Sequence, residues 1–146
     1  MRLMFSLIAA LSAALFAGAS LYINVAEHPA RLRLDTRSAA TQWAASYKRA
    51  TWMQAPLALV SLATGRAVWL MGGGVGWAIA AALIGAVVPF TFLGIMPTNN
   101  ALLAPGRDLD SAETRALLEL WGQLHAARTA SSLAGTLFYF CLLFGA

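Results

Sequence analysis

Charge is scarce in this 146-residue chain: 11% of its residues are charged and 60% are hydrophobic, against about 25% and 45–50% in an ordinary soluble domain. Its placement is more telling. Residues 3–26, 50–65, 67–106 and 129–146 carry none, in runs of 24, 16, 40 and 18. A helix needs about 20 apolar residues to cross a bilayer core, so the chain reads as an integral membrane protein. A soluble enzyme, a disordered chain and a nucleic-acid binder are excluded, since the +4 net charge sits in turns beside apolar spans rather than on a solvated face. Cysteine is nearly absent too. Cys141 stands alone in the last apolar run, which excludes dithiol redox chemistry, a disulfide framework and a thiolate metal site within one chain. No GKS or GKT follows Gly72-Gly73-Gly74, so these glycines read as a loop rather than a phosphate cradle. There is no internal repeat and no low-complexity tract.

What is present arranges itself as one domain, 1–146, with four spans at about 3–26, 47–65, 77–95 and 121–144. The expected fold is all-α: an integral membrane antiparallel four-helix bundle with a short surface helix in the first connection. Arg2 and the apolar run to Ala17-Gly18-Ala19-Ser20 resemble a signal peptide. The run continues through Leu21, Tyr22, Ile23 and Val25, however, and three more apolar segments follow, so an uncleaved first span is expected. Pro29 is expected to close that span, because a proline disfavours helix at the residue before it. The surface helix is read from Ala39, Ala40, Trp43, Ala44 and Tyr47, which recur at helical spacing. Span two then starts near Tyr47, with Lys48 and Arg49 snorkelling to the headgroups. Pro89 is expected to kink span three and Pro97-Thr98-Asn99-Asn100 to end it; Asp110 and Glu113 have capping-box spacing ahead of the fourth helix.

Both termini fall on one side and the connections 27–49 and 97–120 on the other. The latter carry Arg31, Arg33, Arg37, Lys48, Arg49, Arg107 and Arg115, with Arg128 at the membrane edge, against Arg2 and Arg66 opposite. The positive-inside rule puts the connections in the cytoplasm and the termini outside.

The unusual polar groups gather on that same connection side. Span one ends in Asn24, Glu27 and His28; span two begins with Tyr47, Trp52 and Gln54; span three ends in Thr98, Asn99 and Asn100. Trp121, His125, Arg128, Thr129 and Ser132 share one face of the fourth helix. Each has a plain reading as well: histidines at an interface, Arg128 as a snorkelling anchor, Asn99 as loop chemistry, and Trp43, Trp52 and Trp121 as an aromatic belt. Together they make the usual parts of a small proton-transfer site. A metal held through His28, Glu27 and His125 is a minority possibility, because adjacent Glu27 and His28 point about 100° apart on a helix.

Several motifs are recognisable in order along the chain. They are Gly18-Ala19-Ser20-Leu21-Tyr22-Ile23-Asn24, Glu27-His28-Pro29-Ala30-Arg31, Ser46-Tyr47-Lys48-Arg49-Ala50, Met96-Pro97-Thr98-Asn99-Asn100 and Trp121-Gly122-Gln123-Leu124-His125 with Arg128-Thr129. The set resembles the anthrone oxygenase-like family, small four-span membrane proteins long catalogued as a domain of unknown function, and the chain looks like a bacterial member. Fungal members oxidise an anthrone to an anthraquinone with molecular oxygen and no known cofactor; most bacterial members have no assigned substrate.

An anthrone has an acidic methylene between two aryl rings, and its anion is electron-rich enough to meet oxygen directly. The protein then needs a base, a cation and an apolar slot. His125 or His28 is the expected base and Arg128 the expected partner of the enolate, with Asn99 and Asn24 as donors. Tyr47, Trp121 and Trp43 are expected to wall a planar substrate. The expected function is a cofactor-independent membrane oxygenase or oxidase for a planar apolar phenolic or anthrone-like molecule, in a bacterial inner membrane, with self-association left open. The alternative is a non-catalytic membrane subunit or lipophile-binding module whose polar cluster locks helices together.

Overall fold

The computed structural model describes residues 1–145 of the chain, so the last residue of the expected domain lies outside the described residues. Four long helices account for nearly all of it. They are α1 (Arg2–Arg31), α2 (Thr36–Gly73), α3 (Val75–Leu102) and α4 (Ala112–Phe144), each long and apolar enough to cross a membrane. The protein is thus an all-helical membrane bundle. Neighbours run antiparallel: Ser61 donates to the Ala9 carbonyl at 2.9 Å while Gln54, earlier on α2, meets Ser20, later on α1. Likewise Ser131 of α4 donates to the Leu83 carbonyl of α3 at 2.9 Å, and Asn99 meets Trp121 farther along.

Small residues let the helices approach closely. Ala9, Ala10, Ala13 and Ala17 are buried along α1, as expected where packing rather than hydrophobic exclusion holds helices together. The opposite face of the same helix presents Leu3, Leu7, Leu11 and Leu15 outward, each more than half exposed. That stripe is matched to lipid, not water. Two apolar cores result: one around Phe16, Trp77, Ile84 and Tyr139, the other around Trp43, Ile95, Leu118 and Trp121.

Two expected helix ends are displaced. Pro29 does not close α1, nor does Pro97 close α3, because each proline stands two residues past the end of a π turn, Ile23–Glu27 and Thr91–Ile95. The residues before them, His28 and Met96, donate their N–H groups five positions back, to the Ile23 and Thr91 carbonyls. Each proline then falls in the first turn of a fresh α-helical segment, where its missing N–H is not needed. The helical stretch expected on the membrane surface is present but unbroken from span two. It opens α2, capped by Asp35, whose Oδ1 accepts from the Ser38 N–H at 2.9 Å. That bond holds the Asp35 carboxyl below its ordinary pKa. Helix α4 is capped by Ser111 rather than Asp110, through the Thr114 N–H at 3.2 Å. Asp110 is engaged instead by Arg37, at 3.0 and 2.5 Å, which ties the two connections together. At the other end, Gly72 and Gly74 take φ of +80° and +91°, conformations only glycine adopts readily, to turn α2 into α3.

Candidate active site

At the connection half of the bundle the four helices enclose a cavity of about 160 Å³. Phe16, Ile23, Ala58, Val87 and Ile95 supply much of its apolar wall. Its polar lining includes Glu27, Arg31, Gln54, Asn99, His125 and Arg128 beside the hydroxyls of Ser46, Thr51 and Thr91, with Tyr47 and Trp121 as aromatic panels.

One arginine cluster is built on α4. Arg128 Nη2 donates to Gln54 Oε1 at 2.7 Å and lies 2.7 Å from His125 Nε2. A guanidinium has no acceptor, so His125 Nε2 receives that bond and the ring proton sits on Nδ1. Nδ1 donates in turn to Asn24 Oδ1 at 2.8 Å, which also accepts from Thr129 at 2.6 Å. Asn24 is anchored by its own amide, donating to the Gly122 carbonyl at 3.3 Å. The Arg128 guanidinium stands 5.5 Å from the Phe16 ring, and among the described residues no carboxylate pairs with it.

The second cluster is built on α1, just past its π turn. Arg31 is almost wholly buried and donates to four side chains: Gln42, Glu27, Ser46 at 2.8 Å and His28 Nδ1 at 3.2 Å. Here too the arginine is the donor, so His28 Nδ1 accepts and its Nε2 carries the hydrogen. That Nε2 is buried without a partner.

An aromatic column separates the clusters. Trp121 stacks on His125 at 4.7 Å between centroids and lies 5.1 Å from His28. Its indole N–H donates to Asn99 Oδ1 at 2.9 Å. Trp43 meets Trp121 edge-on at 5.8 Å and stacks on Tyr47 at 5.2 Å.

Of the expected site residues, His125, Arg128, Asn99, Tyr47 and Trp121 line the cavity. His28, Asn24 and Trp43 do not: His28 and Trp43 lie against Trp121, and Asn24 behind His125. Neither imidazole offers a free ring lone pair, since Arg128 occupies one and Arg31 the other. Among the described residues no three His, Cys, Asp or Glu side chains gather as a metal site; Arg31 bonds both Glu27 and His28. Sequence reasoning left Arg31 and Gln54 without chemical roles and gave Glu27 an individual role only as a metal ligand. Arg31 was indistinguishable from the connection's orienting charges, and only its burial separates it from exposed Arg33.

Three cavity-lining residues, Gln54, Asn99 and Arg128, each keep a buried N–H with no acceptor: Nε2, Nδ2 and Nε. The amide orientations are settled by their partners, because Arg128 and the Trp121 indole can only donate. The lining is therefore apolar with surplus donors and one uncompensated cation.

The family model for anthrone oxygenase matches residues 43–138, a stretch that holds Tyr47, Gln54, Asn99, Trp121, His125 and Arg128. The chain belongs to the anthrone oxygenase family. It is 43% identical over 68 residues to anthrone oxygenase tpcL of Aspergillus fumigatus, covering 44% of this chain and 42% of that protein. It is also 43% identical over 53 residues to anthrone oxygenase gedH of Aspergillus terreus, covering 35% of each. The matched stretches thus span less than half the length of these curated relatives. No solved structure matches the chain. For this family member, Asn24, Glu27, His28 and Arg31 lie ahead of the matched residues.

Proposed function

We propose that the cavity is the active site of a cofactor-independent oxygenase that takes a planar, apolar phenolic or anthrone-like molecule and molecular oxygen. The observation that carries this reading is the uncompensated Arg128 guanidinium on an apolar cavity whose fully buried, unmatched polar atoms are donors. Such a lining favours a ligand that is flat and hydrophobic in body but bears acceptor oxygens, and favours it most when one oxygen is anionic. An enolate or phenolate has those properties, and the names of the fungal relatives point to the same chemistry.

In this reading Arg128 and Gln54 hold the oxygen on which charge develops, a preorganised stabilisation that water would supply only at a reorganisation cost. Asn99 adds a further donor. Tyr47 and Trp121 sandwich or border the ring system, with Trp43 backing both. His125, oriented by Asn24, fixes the guanidinium of Arg128, and His28 packs against Trp121. Oxygen is apolar and reaches the slot through the lipid-facing wall. The protein sits in a bacterial inner membrane with the Arg37–Asp110 side in the cytoplasm, so a carboxy-terminal reporter active only in the cytoplasm stays silent; strong reporter activity would reverse that orientation.

The deciding experiment supplies anthrone to the purified protein in nanodiscs under air and follows anthraquinone by absorbance. Oxidation faster than in empty nanodiscs, and lost in Arg128→Met, supports an oxygenase. Binding of anthraquinone without any acceleration would instead mark a lipophile-binding module.

A further inference from the structure

We infer that Glu27 is the proton acceptor of this site, an inference that rests on the oxygenase reading and assigns its first chemical step. Among the described residues Glu27 is the one carboxylate that lines the cavity. Its Oε1 accepts from Arg31, and no described residue hydrogen-bonds to Oε2. The side chain keeps 21% exposure while that of Arg31 keeps 1%. Arg31 is locked by Gln42, Ser46 and His28 besides, so it holds the carboxylate without following it toward a ligand.

The other basic groups of the site are spoken for. His125 Nε2 accepts from Arg128 and its Nδ1 carries the proton given to Asn24. His28 lies outside the lining, and its Nδ1 accepts from Arg31. Tyr47 lines the cavity as an aromatic panel stacked on Trp43. Two arginines therefore divide the work: Arg31 comes already paired with a carboxylate, whereas Arg128 awaits an anion. The π turn makes this division possible. In a regular helix Asn24 and Glu27 would share one face; the wider turn Ile23–Glu27 sends Asn24 to α4 and Glu27 to the cavity.

The chemistry balances with oxygen as the sole co-reactant. A methylene C–H bond of the anthrone breaks, its proton passes to Oε2, and its electron pair spreads onto the ketone oxygen facing Arg128. The carbanion reduces oxygen and bonds to it, forming a C–O bond and a peroxide whose terminal oxygen takes the proton back from Glu27. Glu27 then removes the second proton from the same carbon. The C–H electron pair becomes the new C=O bond, the O–O bond breaks, and the departing hydroxide takes the Glu27 proton and leaves as water. One oxygen atom ends in the quinone and one in water.

Proton abstraction can be isolated by excluding oxygen. Anthrone in nanodiscs is placed in deuterated water under argon, and loss of its methylene proton signal is followed by NMR. Wild-type protein is expected to accelerate exchange, and Glu27→Gln to lower that acceleration by about 100-fold or more, the usual scale for a positioned base. Anthraquinone quenching of tryptophan fluorescence reports whether the cavity is intact in each variant. Should Glu27→Gln lose that quenching, Glu27→Asp decides, since it keeps a charge beside Arg31 and withdraws the carboxylate by one methylene. Reduced exchange with retained quenching supports the assignment; exchange at the wild-type rate in the Gln variant, or in the deciding Asp variant, overturns it. If wild-type protein oxidises anthrone and these variants do so equally, Glu27 is excluded and the oxygenase reading stands. If wild-type protein accelerates neither exchange nor oxidation, both fall.

Discussion

His125 Nε2 lies 2.7 Å from a guanidinium nitrogen of Arg128, three residues later on the same helix. Because the guanidinium can only donate, this contact fixes the imidazole as the neutral Nδ1–H tautomer, consistent with the 2.8 Å bond from Nδ1 to Asn24. The histidine thereby joins α1 to α4 and aims a cation at the cavity. In the proposed reading its contribution is to position the guanidinium.

Replacing His125 by alanine removes one acceptor and one donor from this chain of contacts. At about 0.6 kcal/mol for an average polar contact between membrane helices, stability should fall by about 1 kcal/mol. Turnover should fall further, by about 10- to 100-fold, since a displacement of order 1 Å at a reacting group carries such losses. Thermal unfolding in detergent and the rate of anthraquinone formation, measured on one preparation, check both. A large stability loss with proportionate activity loss would mean that the contact only holds helices together.

Gly122 is a second sensitive point. A Cβ there would come within 2.6 Å of His28 Cδ2 and Nε2. The ring cannot retreat easily, because Trp121 packs on it at 5.1 Å and Arg31 bonds its Nδ1 at 3.2 Å. Gly122→Ala should cost about 1–3 kcal/mol, as overpacking does, and shift tryptophan emission as the indole moves. Gly18→Ala is the control: its Cβ would meet nothing within 4 Å, so its melting temperature should match the wild type.

These positions show what a sequence can disclose here. The four spans are legible because charge-free runs report lipid directly, and the α4 face is legible because Trp121, His125, Arg128 and Thr129 follow the helical period. The α1 site residues are harder to read. Arg31 and Arg33 look alike in a basic stretch, yet one is buried against four side chains and the other exposed. Arg31 closes the short helical segment that follows a π turn, whereas Arg33 stands in the turn beyond it, and a π turn is a backbone register change with no residue signature of its own. The same feature hid the helix beyond Pro29 and Pro97, where a proline ordinarily signals an end. His28 packs against Trp121 and lies off the cavity lining, which is a matter of packing and not of spacing.

The cap of α2 gives a pH dependence outside the membrane. Asp35 accepts the Ser38 N–H, and its carboxyl is lowered from 3.8 chiefly by that bond. A depressed folded value means the stabilisation is complete above the unfolded value and is lost as the pH falls through the folded one. Asp35→Ala should therefore melt below wild type at pH 6, with the gap closing in acid below about pH 4, near the unfolded carboxyl value. Asp35→Asn, which caps without ionising, should keep its advantage over alanine at both pH values.

Arg128 separates function from stability most sharply. A charge held in an apolar cavity without a carboxylate pays desolvation and recovers only hydrogen bonds to Gln54 and His125. Arg128→Met relieves that cost and forfeits the two contacts, about 0.6 kcal/mol each, so its melting temperature should equal or exceed that of the wild type. Its oxidation rate should nevertheless drop by about 100- to 1000-fold, the scale on which losing an oxyanion donor is felt. Arg128→Lys keeps the charge but replaces a planar fork with a single ammonium, and should fall between the two. Paired unfolding and turnover measurements check the sign: a methionine variant that is both less stable and equally active would show that the guanidinium serves the bundle and not the ligand.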